Sequence, residues 1–162
     1  MPSGDAQAWE EMRPIFHAIA AQTSDGACVT YLGPGAAGNY VKMVHNGIEY
    51  GDMQLIGEAY HILKVVGGLT NRQIADVFVR WSQGPLASYL VEITAAILRH
   101  EDDAPAGSRS PGDLVDKILD SCGSKGTGKW TVQEAAEQGV PAPTMSAALE
   151  ARYVSSLVDA RQ

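Results

Sequence analysis

The chain has 162 residues, of which 45% are apolar and 19% charged, enough apolar content for a core and too much for a disordered tail. Against 19 Asp and Glu stand only 12 Lys and Arg, for a net charge of −7, which argues against nucleic acid as a partner because phosphate neutralisation needs a surplus of cations on one face. Cys28 and Cys122 lack metal-ligand spacing, the start is acidic, and no stretch approaches the roughly 18 apolar residues of a membrane span. The expectation is a soluble cytoplasmic protein with no disulfide framework, metal or membrane partner.

In chain order, Trp9, Met12, Ile15, Phe16, Ile19 and Ala20 repeat at three-and-four spacing and predict an amphipathic helix over Gln7–Ala21, with Pro14 awkward inside it. Ala27–Leu32 is short, β-branched and flanked by glycines, so it reads as the single strand, without an evident partner. A long helix follows from Asn39 to Val66, stopped by Gly67-Gly68. Thr70 with Gln73 forms a capping box for a helix ending near Trp81, before Gly84-Pro85. Ser88–His100 predicts another helix and His100–Ser110 an exposed loop. Ser110-Pro111 reads as the cap and first residue of a helix carrying Leu114, Val115, Ile118 and Leu119. Helices over Trp130–Gln138 and Thr144–Asp159 complete a body that is all-α.

Two glycine-rich motifs invite a nucleotide reading and fail it. Gly33-Pro-Gly35-Ala-Ala-Gly38 matches the dinucleotide fingerprint, but the helix behind it is nearly as long as a whole strand–helix–strand unit and no second strand follows. Gly123-Ser-Lys125-Gly-Thr-Gly-Lys129 matches seven positions of a P-loop. Its eighth is Trp130 where Ser or Thr must hold magnesium, and the segment before it has helical periodicity. A glycine-rich turn with Lys125 retains the capacity to hold one phosphate.

The helix from Gly38 to Gln54 carries the chemistry. Lys42 and Glu49 are seven residues apart, about 20° from one another around the axis and roughly 10 Å along it. Asn46 lies one turn from Lys42, with His45 beside it and Tyr50 at the edge. One stripe thus presents an amine, an imidazole, an amide and a carboxylate, spaced to flank a small substrate. A solvated polar face is the plain alternative. Against it, apolar residues spread widely around the helix, which reads as buried nearly all round. Gly47 and Gly51, each costing about 1 kcal/mol in a helix interior, also imply close approach of another backbone.

The stripe and its flanks, YVKMVHNGIEYGDMQLIGEAYHIL, resemble the signature helix of the decarboxylating 6-phosphogluconate dehydrogenase family. The likeness continues through IADVFVRWSQGPLASYLVEITAAIL, LVDKILDSCGSKGTGKWT and GVPAPTMSAALEARYVSSL, and covers essentially the whole chain. The wider β-hydroxyacid dehydrogenase pattern, Gly-x-x-x-Lys-x-x-x-Asn, is met by Gly38, Lys42 and Asn46, with Ala36 and Asn39 as small departures from its commonest form. The resemblance implies oxidation of 6-phosphogluconate with NADP, loss of carbon dioxide without a metal, and release of ribulose 5-phosphate. Lys42 would take the hydroxyl proton and Glu49 would protonate C1 of the enediol. By the same resemblance His45 and Asn46 bind the sugar acid, while Tyr50, Lys125 and Arg152 gather its phosphate. It further implies a mainly α helical domain over residues 36–162, preceded at residues 1–35 by the last helix and strand of a coenzyme-binding domain.

The family is much longer than this chain. The resemblance therefore leads us to expect a fragment: the nucleotide domain before residue 1, further helices and a tail after Gln162, and a homodimer in the parent enzyme. Such a chain alone would not turn over. Two other readings stand beside it, a stand-alone helical module used for dimerisation or sugar-phosphate binding, and a related β-hydroxyacid dehydrogenase with another substrate. The glycine-rich turn and Arg152 favour a phosphorylated acid over an unphosphorylated one.

Overall fold

The computed structural model describes residues 1–102 and 112–161. Helix α1 spans Ala6–Ile19, started by the Asp5 carboxylate, which accepts from the Ala8 amide at 2.8 Å. Pro14 sits inside it without ending it. Trp9 stacks on Phe16 and on Tyr31, with centroids 5.9 and 6.1 Å apart. The expected strand at Ala27–Leu32 does not form. Instead β1 (Gln22–Thr23) and β2 (Gly26–Ala27) make a minimal antiparallel hairpin. The stretch beyond runs beside the chain's first residues, Leu32 donating to the Pro2 carbonyl and Gly4 to that of Gly33. Pro2 has no N–H and Gly4 adopts φ 120°, so that pairing cannot grow into a ladder.

Helix α2 runs from Ala37 to His61 and widens into a π-turn over Ile62–Val66, ending at Gly67-Gly68 as expected. Thr70 and Gln73 form the predicted capping box of α3, Asn71–Ser82. Ser88 caps α4, Tyr89–Ile97, accepting from the Val91 amide. Helix α5 spans Thr127–Glu137 and α6 Pro143–Ser155, with a last turn, α7, at Val158–Arg161. α5 begins three residues before the expected start, because Gly126 at φ 101° provides a left-handed entry.

The helix expected after Pro111 is corrected to a single 3-10 turn, Leu114–Lys117, with Ile118 extended and Ile118 and Leu119 exposed. Its proposed Ser110-Pro111 start lies outside the described residues, as does most of the predicted loop before it. Polar partners override the apolar periodicity here. Asp113 and Asp116 are drawn to Asn71 and Lys64, and Lys117 to Asp102.

The chain divides into two units, one of residues 1–50 and 124–150, the other of residues 51–123 and 151–162. The second has the larger apolar core: Ile74, Ala75, Phe78, Ala95 and Leu98, with Tyr60, Leu63 and Trp81 packed against it. Above that core Asn71, 3% exposed, accepts from Lys64 and Tyr60 and donates to Asp113 and Asp116. Burial alone would lower the Lys64 pKa, but the hydrogen bonds and charges of Asp116 and Tyr60 outweigh it and hold it above the ordinary lysine value. In the first unit the core is small, Tyr50, Ala148 and Leu149 with Val132 against them.

Candidate functional site

The first half of α2 meets α5 in the first unit, and the two helices run in opposite senses there. Tyr40 donates to Glu134 at 3.1 Å and accepts from Gln138 at one end. In the middle, the buried Thr131 hydroxyl lies 2.9 Å from the Met43 carbonyl. At the other end, Gly128 lies under the Tyr50 ring so closely that a Cβ would clash with it. Gly47 faces Thr131 in the same way, a Cβ there falling 2.6 Å from the threonine methyl. The backbone approach expected at Gly47 is corrected: what comes close is the Thr131 side chain.

The expectation that α2 is buried nearly all round is corrected. Gly47 and Tyr50 are buried against α5, while Tyr40, Val41, Lys42, His45 and Ile48 are exposed and Met43, Val44, Asn46 and Glu49 half-buried. A helix covered by one neighbour buries one stripe.

Along the polar stripe, Lys42 Nζ stands 3.4 Å from His45 Nδ1, and the same nitrogen stands 3.3 Å from Asn46 Oδ1. One ring nitrogen cannot accept from the amine and donate to the amide at once, so these contacts alternate with the imidazole's tautomer. Asn46 Nδ2 reaches Thr127 Oγ1 at 3.5 Å, and the Tyr50 hydroxyl lies 3.4 Å from Ser124 Oγ. All four contacts sit at the long limit of hydrogen bonding.

The structure thus brings Lys42, His45, Asn46, Glu49, Tyr50 and the exposed Lys125 into one unit. Arg152 lies in the other, where its guanidinium donates to the Gly123 carbonyl at 2.9 Å. Sequence reasoning did not single out Ser124, Thr127 and Thr131. Each is a hydroxyl within a motif already quoted, and only the antiparallel crossing shows that it faces the stripe.

Neither glycine-rich motif has the strand–turn–helix setting of a nucleotide fingerprint. At the first, Gly4 bonds to Gly33, the Ser3 hydroxyl donates to the Gly35 carbonyl at 3.0 Å, and the hollow at Gly38 is filled by the Met1 carbonyl and Ser3. The third glycine of the motif is thus covered by the chain's own first residues. At the second, residues 118–123 form no strand and no helix, so the expected helix before the turn is absent, and Trp130 follows Lys129.

A family model described as 6-phosphogluconate dehydrogenase, C-terminal domain, matches residues 38–162. The chain belongs to the 6-phosphogluconate dehydrogenase family. It is 60% identical over 161 residues to the decarboxylating 6-phosphogluconate dehydrogenase 2, chloroplastic, of Oryza sativa subsp. japonica, covering 99% of this chain and 31% of that protein. With the decarboxylating enzyme of Synechococcus elongatus it shares 55% identity over 163 residues, covering 100% of this chain and 34% of the relative. Among solved structures it is similar to the Plasmodium falciparum 6-phosphogluconate dehydrogenase, described in its apo form, with its cofactor NADP+ and with its substrate 6-phosphogluconate. That similarity has a TM-score of 0.89 and 52% identity, and covers 99% of this chain and 33% of the other. The chain spans about a third of the length of these relatives. No helix among the described residues is long and apolar enough to cross a membrane.

Proposed function

We propose that this chain supplies the catalytic helix and part of the substrate site for oxidative decarboxylation of 6-phosphogluconate to ribulose 5-phosphate, with NADP reduced in the overall reaction. The observation that carries this reading is the Lys42–His45–Asn46–Glu49 stripe, with Asn46 reaching Thr127 and the neighbouring Tyr50 reaching Ser124 within one unit. Family membership supports it. Lys42 takes the proton of the C3 hydroxyl, and Glu49 delivers a proton to C1 of the enediol after carbon dioxide leaves. His45 and Asn46 hold the sugar acid between them. Tyr50 and Lys125 gather the phosphate, with Thr127 and Ser124 as further hydroxyl donors.

The residues present do not fit the coenzyme, so no step of the chain's own chemistry runs through it. We assign residues 1–35 to the end of a coenzyme-binding domain and 36–162 to the first part of a helical domain, a division supported by the family match beginning at residue 38. The parent enzyme is proposed to be a cytoplasmic homodimer, and the 162-residue chain to be inactive by itself.

The test is an exchange: this chain replaces the corresponding third of the Synechococcus elongatus relative. The expected result is NADPH formation from 6-phosphogluconate, abolished by Lys42→Met and by Glu49→Gln. Full activity in both variants would sink the assignment of roles, and activity on gluconate equal to that on 6-phosphogluconate would remove the phosphate site.

A further inference from the structure

Thr131 is one of two buried polar residues among those described, and it lies on neither glycine-rich motif nor on the stripe. Its hydroxyl sits 2.9 Å from the Met43 carbonyl of α2 and 2.8 Å from the Thr127 carbonyl of its own helix. Having a single proton, it donates to one or the other. Its methyl and Cβ fill the hollow at Gly47, where any added Cβ would lie 2.6 to 2.8 Å from Thr131 atoms. The mirror arrangement occurs three residues on along α2 and three residues back along α5, where the Tyr50 ring fills the hollow at Gly128.

Each helix therefore contributes one glycine hollow and one side chain to fill the other's, at positions 47 and 50 on α2 and 131 and 128 on α5. A slip by one residue would set Asn46 or Ile48 against Thr131 in place of Gly47. Interlocked packing of this kind has discrete solutions, so the register of α5 on α2 is set here. The contacts that face the ligand, Asn46 to Thr127 at 3.5 Å and Tyr50 to Ser124 at 3.4 Å, are too long to set it themselves.

We propose that Thr131 is a positioning residue and specificity determinant: seated in the Gly47 hollow and bonded to Met43, it fixes the span from the Lys42–Glu49 stripe to the Lys125 turn, and so the length of phosphorylated acid that fits. This rests on the reading in the preceding subsection. A six-carbon acid would place its phosphate at Lys125 with its reacting carbons at the stripe. A shift of the turn would misplace one end or the other.

The exchanged full-length enzyme tests it. The readout is the inhibition constant of the five-carbon aldonate 5-phosphate divided by the KM for 6-phosphogluconate, a ratio independent of the fraction of enzyme correctly folded. Thr131→Val keeps the volume and loses the hydroxyl, and Gly47→Ala fills the hollow. Both should bring the ratio down by about tenfold, the scale expected when a bound group is displaced by a fraction of an ångström to an ångström. Thr131→Ser, which restores the hydroxyl, should recover most of it. An active parent whose variants lose kcat while the ratio stays unchanged overturns the proposal alone and leaves Thr131 a packing residue. An inactive parent overturns the catalytic reading and this inference together.

Discussion

In the second unit, Asn71 accepts from Lys64 at 2.6 Å and from Tyr60 at 3.1 Å, and donates to Asp113 and Asp116 at 2.9 and 2.8 Å. In the first, the polar groups of the stripe touch one another and the Thr127 and Ser124 hydroxyls at 3.3 to 3.5 Å, over helix faces left largely exposed. Both regions are polar clusters at a helix junction, yet one is closed on itself and the other is not. A buried amide whose donors and acceptors are all used holds a fold and offers nothing to a ligand. Groups held near one another with hydrogen-bonding capacity in reserve can transfer it to a substrate. The apolar cores differ in the same sense: Ile74 and Phe78 are essentially inaccessible in the second unit, whereas Tyr50 serves the first as core and as site edge at once.

If stability is concentrated in the second unit, Phe78→Ala should have the largest effect, a loss of about 3–5 kcal/mol for a fully buried aromatic, read by urea unfolding followed through tryptophan fluorescence. A loss under about 1 kcal/mol would break the contrast. Asn71→Ala comes next, at about 1–3 kcal/mol, because it strips partners from Lys64, Asp113 and Asp116 together. Melting of the variant by circular dichroism checks it, and an unchanged midpoint would mean that the network is solvated rather than structural.

A smaller effect should appear with pH. The folded-state pKa of Lys64 is raised, so its contribution is complete below the unfolded lysine value of about 10.4 and disappears as pH climbs through the higher folded value. The difference in melting temperature between the chain and Lys64→Met should therefore hold steady up to about pH 10 and narrow above it. A difference that grows with pH would reverse the sign of this argument. Smallest is Lys42→Met in this chain, within about 0.5 kcal/mol of the parent, since Lys42 is exposed and touches His45 only at 3.4 Å. A destabilisation of 2 kcal/mol or more, on the order of a lost buried interaction, would make Lys42 a structural residue.

Much of this architecture was legible before any fold was known. Helices α1 to α4 were placed by their apolar spacing, the Thr70–Gln73 box and Gly67-Gly68, all of which act within a few residues of themselves. The misreadings share a cause. Ala27–Leu32 looks like a strand by composition, but a strand exists only with a partner, and the partner available carries Pro2. Leu114, Val115, Ile118 and Leu119 have helical spacing, yet the charges between them reach distant groups. The pull of Asn71, Lys64 and Asp102 outweighs local propensity.

Residue order by itself determined which groups share a helix face, because 3.6 residues per turn fixes that from spacing alone. It was enough to put Lys42, Asn46 and Glu49 on one stripe. Tertiary structure decided what the stripe faces. Thr127 and Ser124 stand 81 and 74 residues from their partners Asn46 and Tyr50, and no local rule links positions so far apart. The meeting depends on two hollows, at Gly47 and Gly128, being filled at once, and whether a glycine is empty space or a socket is known only when the opposing helix is in place.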